Sequence, residues 1–283
     1  MKANSPSVTA QGAAMHRAAH QLLDHPPIFE DPLALRIIGL EAEAELRSGG
    51  ARHTDGRGQG LRAFIATRSR FSEDALAASI EQGVSQYVLL GAGLDTFAYR
   101  ASRKYPGLRV FEVDHPATQA WKREKLNDAG IEIPAALTYA PVDFESETLA
   151  EGLARAGFDQ TKPALFAWLG VVPYLTHEAI MATLRFIAGL PRGSEVIFDY
   201  GEPIDVRDPA HQAAALAMAE RVAASGEPFR SFFMPQDLAR DIAALGFSHV
   251  EDFGADALNA RYFAGRKDDL KLLGRGHLMT ARV

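Results

Sequence analysis

Two glycines a residue apart, Gly91-Ala92-Gly93, follow directly on the apolar run Val88-Leu89-Leu90. A buried strand that breaks into such a loop lets a ligand lie against the backbone with no Cβ in the way. The next apolar run, Leu108 to Val113, ends in Asp114. A carboxylate there can accept both hydroxyls of a ribose. Each feature also has a plain use, since Gly-x-Gly closes ordinary strand-to-helix connections and a strand-end Asp caps helices. Their spacing of one β-α unit favours a nucleotide. The third position of the dinucleotide fingerprint is Thr96, preceded by Asp95. A carboxylate repels a pyrophosphate but tolerates an amine or a sulfonium, so the expected cofactor is S-adenosylmethionine rather than NAD.

In an open parallel sheet, residues past the carboxyl ends of the strands line one crevice. Here those residues include Asp143-Phe144, Leu169-Gly170 and Asp199-Tyr200. Asp143 can accept from an adenine amino group while Phe144 packs on the ring, or the two can be a capping Asp and a core Phe. Arg68 can hold the carboxylate of a methionine moiety as a bidentate pair, or stand as a solvated helix arginine. Tyr174 and Tyr200 can face a substrate or simply pack. His115, His177 and His211 are each a possible base, and each also suits a cap or a surface. A phosphate loop, a nucleophile elbow and a histidine set at metal spacing are all missing from the sequence, so no metal is expected.

The elements that must position these residues follow from periodicity. Thr9 to Gly39 is helical in spacing, broken at Pro26-Pro27 and restarted at Asp31-Pro32, and reads as a cap. Ser48 to Gly60 is a glycine-rich loop, and Leu61 to Gln82 is a lead-in helix carrying Arg68 and Arg70. Strands are expected at Val88–Leu90, Leu108–Val113, Leu137–Val142, Ala164–Leu169 and Glu195–Asp199, each of the first four followed by a helix. A helix at about 208–224 is inserted after the fifth strand, in a segment of about 204–234, and Pro235–Leu245 is helical. His249–Phe253 and Tyr262–Gly265 are expected as an antiparallel edge with no helix between them. The fold class is α/β, a doubly wound, mostly parallel seven-stranded sheet, Rossmann-like, with an N-terminal helical cap. One domain over residues 1–283 is expected, with 1–82 as cap and lead-in and 86–283 as sheet core.

Bulk composition agrees with such an enzyme. The 283 residues are 47% hydrophobic and 23% charged, and the formal net charge of −6 comes with no basic stripe. Nucleic acid is therefore not an expected partner. With no cysteine, disulfides, thiolate catalysis and Cys-based zinc sites are excluded. No run approaches a membrane span, and a cytoplasmic location is expected.

Taken together, Thr9-Ala10 through Arg17-Ala18, Phe29-Glu30-Asp31-Pro32, Arg68-Ser69-Arg70, Leu90 to Thr96, Phe111 to Pro116, Trp121-Lys122, Val142-Asp143-Phe144, Gly170 to Leu175 and Leu245-Gly246-Phe247 resemble the leucine carboxyl methyltransferase-like family of class I S-adenosylmethionine-dependent methyltransferases, bacterial branch. The resemblance implies that Arg68, with Arg70 second, holds the cofactor carboxylate. It implies Gly91, Ala92 and Gly93 at the methionine part, Asp114 with His115 at the ribose, and Asp143 and Phe144 at the adenine. Where the family has Glu before its Gly-Val-Leu-x-Tyr-Leu motif this chain has Leu169, so that position offers a contact without charge. The implied reaction is methyl transfer to oxygen of a small-molecule acceptor, a carboxylate ahead of a hydroxyl, since a carboxylic acid near pKa ~4 needs no base at neutral pH. Hydroxyl methylation and a non-catalytic cofactor-binding protein remain the alternatives.

Overall fold

Tyr87, Val88, Leu89 and Leu90 are buried on both faces of a sheet, which is why this run carries no polar alternation. They belong to β1 (Gln86–Leu90), which lies in the middle of a seven-stranded sheet among the described residues. The computed structural model describes residues 7–49, 56–101, 103–144, 146–203 and 228–283. The inserted helix expected at about 208–224, and His211 with it, lie outside the described residues, as do residues 50–55 of the glycine-rich loop.

The strands in chain order are β1, β2 (Arg109–Asp114), β3 (Leu137–Pro141), β4 (Leu165–Trp168), β5 (Glu195–Gly201), β6 (His249–Phe253) and β7 (Gly276–Arg282). Their spatial order is β3-β2-β1-β4-β5-β7-β6. The first five pair in parallel, and β7 runs antiparallel between β5 and β6. The chain order reverses between β1 and β4, and that is where the crevice of a doubly wound sheet opens.

One late strand departs from expectation. Tyr262 ends helix α10 (Ala255–Tyr262) and is followed by a turn through Gly265, so the last strand comes later, at Gly276–Arg282. Leu258 and Tyr262 sit four residues apart, a helical spacing, and pack towards the core. The continuous buried run Leu278-Met279-Thr280-Ala281 is the true strand signature. Consequently a helix does separate the last two strands.

The remaining helices are α1 (Val8–Leu23), α2 (Ala34–Ile38), α3 (Leu40–Arg47), α4 (Gly56–Glu81), α5 (Phe97–Ala101), α6 (Pro116–Asp128), α7 (Leu149–Arg155), α8 (His177–Ala188) and α9 (Pro235–Ala243). On one sheet face Val88, Phe166 and Phe198 meet Leu153 of α7, Leu184 of α8 and Leu238 of α9. On the other, Leu89 and Ile197 meet Ala66 and Leu76 of α4 and Leu258 of α10. Alternation along each strand feeds the two layers, and each large apolar side chain so buried contributes about 1.5–3 kcal/mol. A third cluster joins Ala14, Ala18 and Ala19 of α1 to Ile37, Leu94 and Leu126, so the N-terminal helices rest on α6 and on the loop after β1. Among the described residues no helix is long and apolar enough to cross a membrane.

Candidate functional site

Sheet order sets the strand-end residues in a row. Asp143 and Phe144 follow β3, Asp114 ends β2, Gly91 to Gly93 follow β1, Leu169 and Gly170 follow β4, and Asp199 lies near the end of β5. Neighbouring strands lie about 4.8 Å apart, so the row from β3 to β4 spans ~14 Å, the scale of an extended nucleoside with an amino-acid tail.

At the centre, the amides of Gly91 and Ala92 donate to Val113 O at 2.8 and 3.1 Å, stitching the loop to β2. Gly91 has φ +66°, and a Cβ there would lie 2.3 Å from Cγ2 of Val171. Glycine is required at this position by the approach of the β4 exit as well as by conformation. Asp114 accepts from the amide of Gly93 at 2.6 Å and from that of His115 at 2.7 Å. Burial raises its carboxyl above the usual range, against the two amide hydrogen bonds and the charges of Lys122 and His115. His115 is the N-cap of α6, its Nδ1 accepting from the Ala117 amide at 3.2 Å. At the far end Phe144 is 58% exposed, an apolar ring face turned to solvent beside Asp143.

Near β4 and β5 Arg68 of α4 reaches the row. Its Nη1 donates to Asp199 Oδ2 at 2.8 Å, and the guanidinium lies against Gly170, where a Cβ would come within 2.7 Å of Nη2. The other oxygen of Asp199 accepts from the Gly170 amide at 2.5 Å. Leu169 is half-buried and packs with the α4 layer. The carboxylate at this exit thus comes from β5, not from β4. Arg70 points elsewhere, pairing with Asp74 one turn on at 2.8 Å.

The two tyrosines are not brought together. Tyr174, in the short 3-10 turn Val172–Tyr174, stacks on Phe229 with centroids 5.3 Å apart. Tyr200 is 2% exposed and donates its hydroxyl to Asp252 at 2.7 Å. Strand alternation puts it on the face opposite Asp199. It belongs to a cluster that sequence reasoning missed. His277 Nδ1 lies 2.9 Å from Asp252 Oδ2, and its Nε2 lies 3.4 Å from Glu202. Burial depresses this imidazole, but Asp252 and then Glu202 outweigh it, and its pKa is raised. Locating β7 correctly was the signal that would have found His277. Beyond β4 and β5, Thr176, His177, Arg230, Ser231, Phe232 and Phe233 line an open cavity of about 520 Å³. His177 stands at the first position of α8, with Asp241 3.9 Å away.

The donor set fits S-adenosylmethionine by chemistry. An exposed aromatic ring, a carboxylate, a backbone loop and a guanidinium occur in the order in which adenine, ribose, the methionine chain and its carboxylate occur.

Comparison with known proteins agrees. The leucine carboxyl methyltransferase family model matches residues 10–188, which include β1 to β4 and Arg68. A protein of Bacillus subtilis strain 168 named as a candidate S-adenosyl-L-methionine-dependent methyltransferase, YktD, is 31% identical over 99% of each chain. A similarly named protein of Mycolicibacterium vanbaalenii is 31% identical over 89% of this chain and 81% of its own length. The crystal structure of a candidate methyltransferase from Thermobifida fusca shares the fold, with a TM-score of 0.58 at 19% identity, covering 99% of this chain and 96% of that one. The chain belongs to the leucine carboxyl methyltransferase family of S-adenosyl-L-methionine-dependent methyltransferases.

Proposed function

We propose that this S-adenosylmethionine-dependent methyltransferase, acting as one cytoplasmic domain, methylates a carboxylate oxygen of a small apolar or aromatic acid. When bound, the cofactor supplies an electrophilic methyl group on a sulfonium. The chain's task is then to hold, align and keep dry. Asp143 and Phe144 hold the adenine end, Asp114 the ribose hydroxyls, with His115 setting the turn behind it. Gly91, Ala92 and Gly93 bring backbone against the methionine chain, Arg68 takes the terminal carboxylate, and Leu169 supplies an apolar wall. Asp199 orients Arg68. Tyr174 borders the acceptor side through its stack on Phe229, while Tyr200 supports it from the core.

The observation that carries the acceptor class is the lining of the cavity beyond β4 and β5. Arg230 and His177 stand there with Phe232 and Phe233, and among the described residues no carboxylate lines the cavity. A guanidinium beside aromatic rings suits an anion with an apolar body. The family's name, with its carboxyl acceptor, leans the same way. His277, its pKa raised by Asp252 and Glu202, turns both ring nitrogens to those carboxylates rather than to a substrate's proton. A carboxylate arrives already ionised, so no side chain has to accept one.

The test uses the purified protein, cofactor labelled in the methyl group, and a panel of small acids and phenols. The reading expects label in the acids, released as methanol by mild alkali because the product is an ester. Alkali-stable label in a phenol, with a basic limb near pH ~6–7 that one histidine variant removes, would show hydroxyl methylation instead.

A further inference from the structure

The loop Gly91–Thr96 is gripped from two sides. From the sheet, Asp114 takes the Gly93 amide at 2.6 Å. From the N-terminal segment come three contacts by residues 10, 17 and 31. Ala10 packs on Gly93 so closely that a Cβ on Gly93 would lie 3.0 Å from the Ala10 Cβ. Arg17, 6% exposed, donates Nη2 to Leu94 O at 2.5 Å, and its Nε lies 2.7 Å from Asp31 Oδ2. Asp31, with a fully buried side chain, accepts from Thr96 Oγ1 at 2.6 Å and from the Leu33 amide at 3.0 Å. Thr96 accepts in turn from Arg100 Nε at 3.1 Å, and Arg100 pairs with Glu73 of α4.

Buried ion pairs are weak evidence for stability, because desolvation consumes much of the attraction. Here the three contacts converge on one loop. Two of them end on its backbone or hydroxyl, at Leu94 and Thr96, and the third packs on its second glycine. A loop fixed before its ligand arrives pays no ordering entropy when the ligand binds.

We propose that Asp31, with Arg17 and Thr96, is a positioning unit that presets the Gly91–Thr96 loop for the methionine half of the cofactor, so that the segment from residue 10 to residue 31 is part of the binding site. This rests on the assignment of the methionine chain to that loop. The adenosine half, assigned to β2 and β3, meets this loop through Asp114 at Gly93 and not through the clamp's own residues.

Thr96→Val removes the bridging hydroxyl with little change of shape, and Thr96→Ser restores it. Affinities for S-adenosylhomocysteine and for adenosine are measured by calorimetry, and amide hydrogen exchange is followed in the ligand-free protein. The expected result is that Thr96→Val weakens S-adenosylhomocysteine about tenfold, the loss of one buried hydrogen bond, while adenosine changes by less than about threefold. Exchange rises in residues 91–96 and not in β5, and Thr96→Ser returns all three readings to the wild-type values. Arg17→Lys keeps a cation beside Asp31 but shortens the reach to Leu94 O, and carries the same test should Thr96→Val fail to fold. Unchanged S-adenosylhomocysteine affinity, equal losses for both ligands, or unchanged exchange in 91–96 would overturn the positioning role. Failure of the wild-type protein to bind S-adenosylhomocysteine would instead overturn the assignment beneath it.

Discussion

Asp199 divides one carboxylate between the Arg68 guanidinium and the Gly170 amide. Asp199→Asn keeps an acceptor for the amide but removes the charge that orients Arg68. Charged hydrogen bonds contribute about 1.5–3 kcal/mol, so S-adenosylhomocysteine affinity should fall by that order, with calorimetry as the check. Asp114→Ala should cost a similar amount, and Asp95→Ala much less, because Asp95 Oδ1 only caps the Phe97 amide at 2.7 Å. Equal losses would mean that the ribose carboxylate is misassigned. Gly91, Gly93 and Asp114 were legible in the sequence because residue type and strand-end position coincide. Asp199 was legible only as a strand end; its partner lies 131 residues away on α4, which no local pattern announces. For Tyr200 the sequence left substrate contact and packing both open; the side chain is buried with its hydroxyl on Asp252, since a single step along a strand reverses the face.

At the scale of elements, the seam between β2 and α6 contains Glu112 and Lys122, both almost fully buried, with Nζ 2.8 Å from Oε2. Tyr99 donates to the same carboxylate at 3.3 Å and meets Tyr139 at 2.7 Å. Burial pushes Glu112 up to about 7 against the pull of Lys122. Lys122→Met strands that carboxylate. Denaturant melts should show a loss of about 3–5 kcal/mol near pH ~8, where Glu112 must stay ionised or take up a proton at a cost. Near pH ~5 the carboxyl is protonated and the loss should shrink. A loss independent of pH would mean that packing, not charge, is what Lys122 provides. The parallel strands were legible because each is a short apolar run closed by a small or acidic residue. β7 was not, since Tyr262 to Gly265 carries the β-prone residues while Gly276–Arg282 mixes polar and apolar side chains. Only its pairing with both β5 and β6 reveals why Leu278 to Ala281 are buried.

Over the whole molecule, buried ionisable groups shape stability against pH. At Asp24 burial works upward, yet hydrogen bonds from Arg62 and His20 hold the carboxyl down to about 2. Its contribution is complete above ~4 and is lost as pH falls towards 2. His277 has a raised value, so its contribution is complete below ~6.5 and is lost as pH rises through the folded-state value. Thermal melts should therefore fall away on both the acid and the alkaline side, and His277→Gln should flatten the alkaline fall while leaving the acid one. An alkaline fall of unchanged depth in that variant would remove His277 from the account. The larger claim is that the carboxyl ends of β3, β2, β1 and β4 hold the cofactor in that order, from adenine to carboxylate. Calorimetric titration of wild type and Arg68→Ala with S-adenosylhomocysteine and with adenosine tests it most directly. The arrangement predicts that Arg68→Ala weakens S-adenosylhomocysteine at least about tenfold, the value of a charged hydrogen bond, and leaves adenosine within about threefold. Equal losses for the two ligands, or none for either, would contradict it.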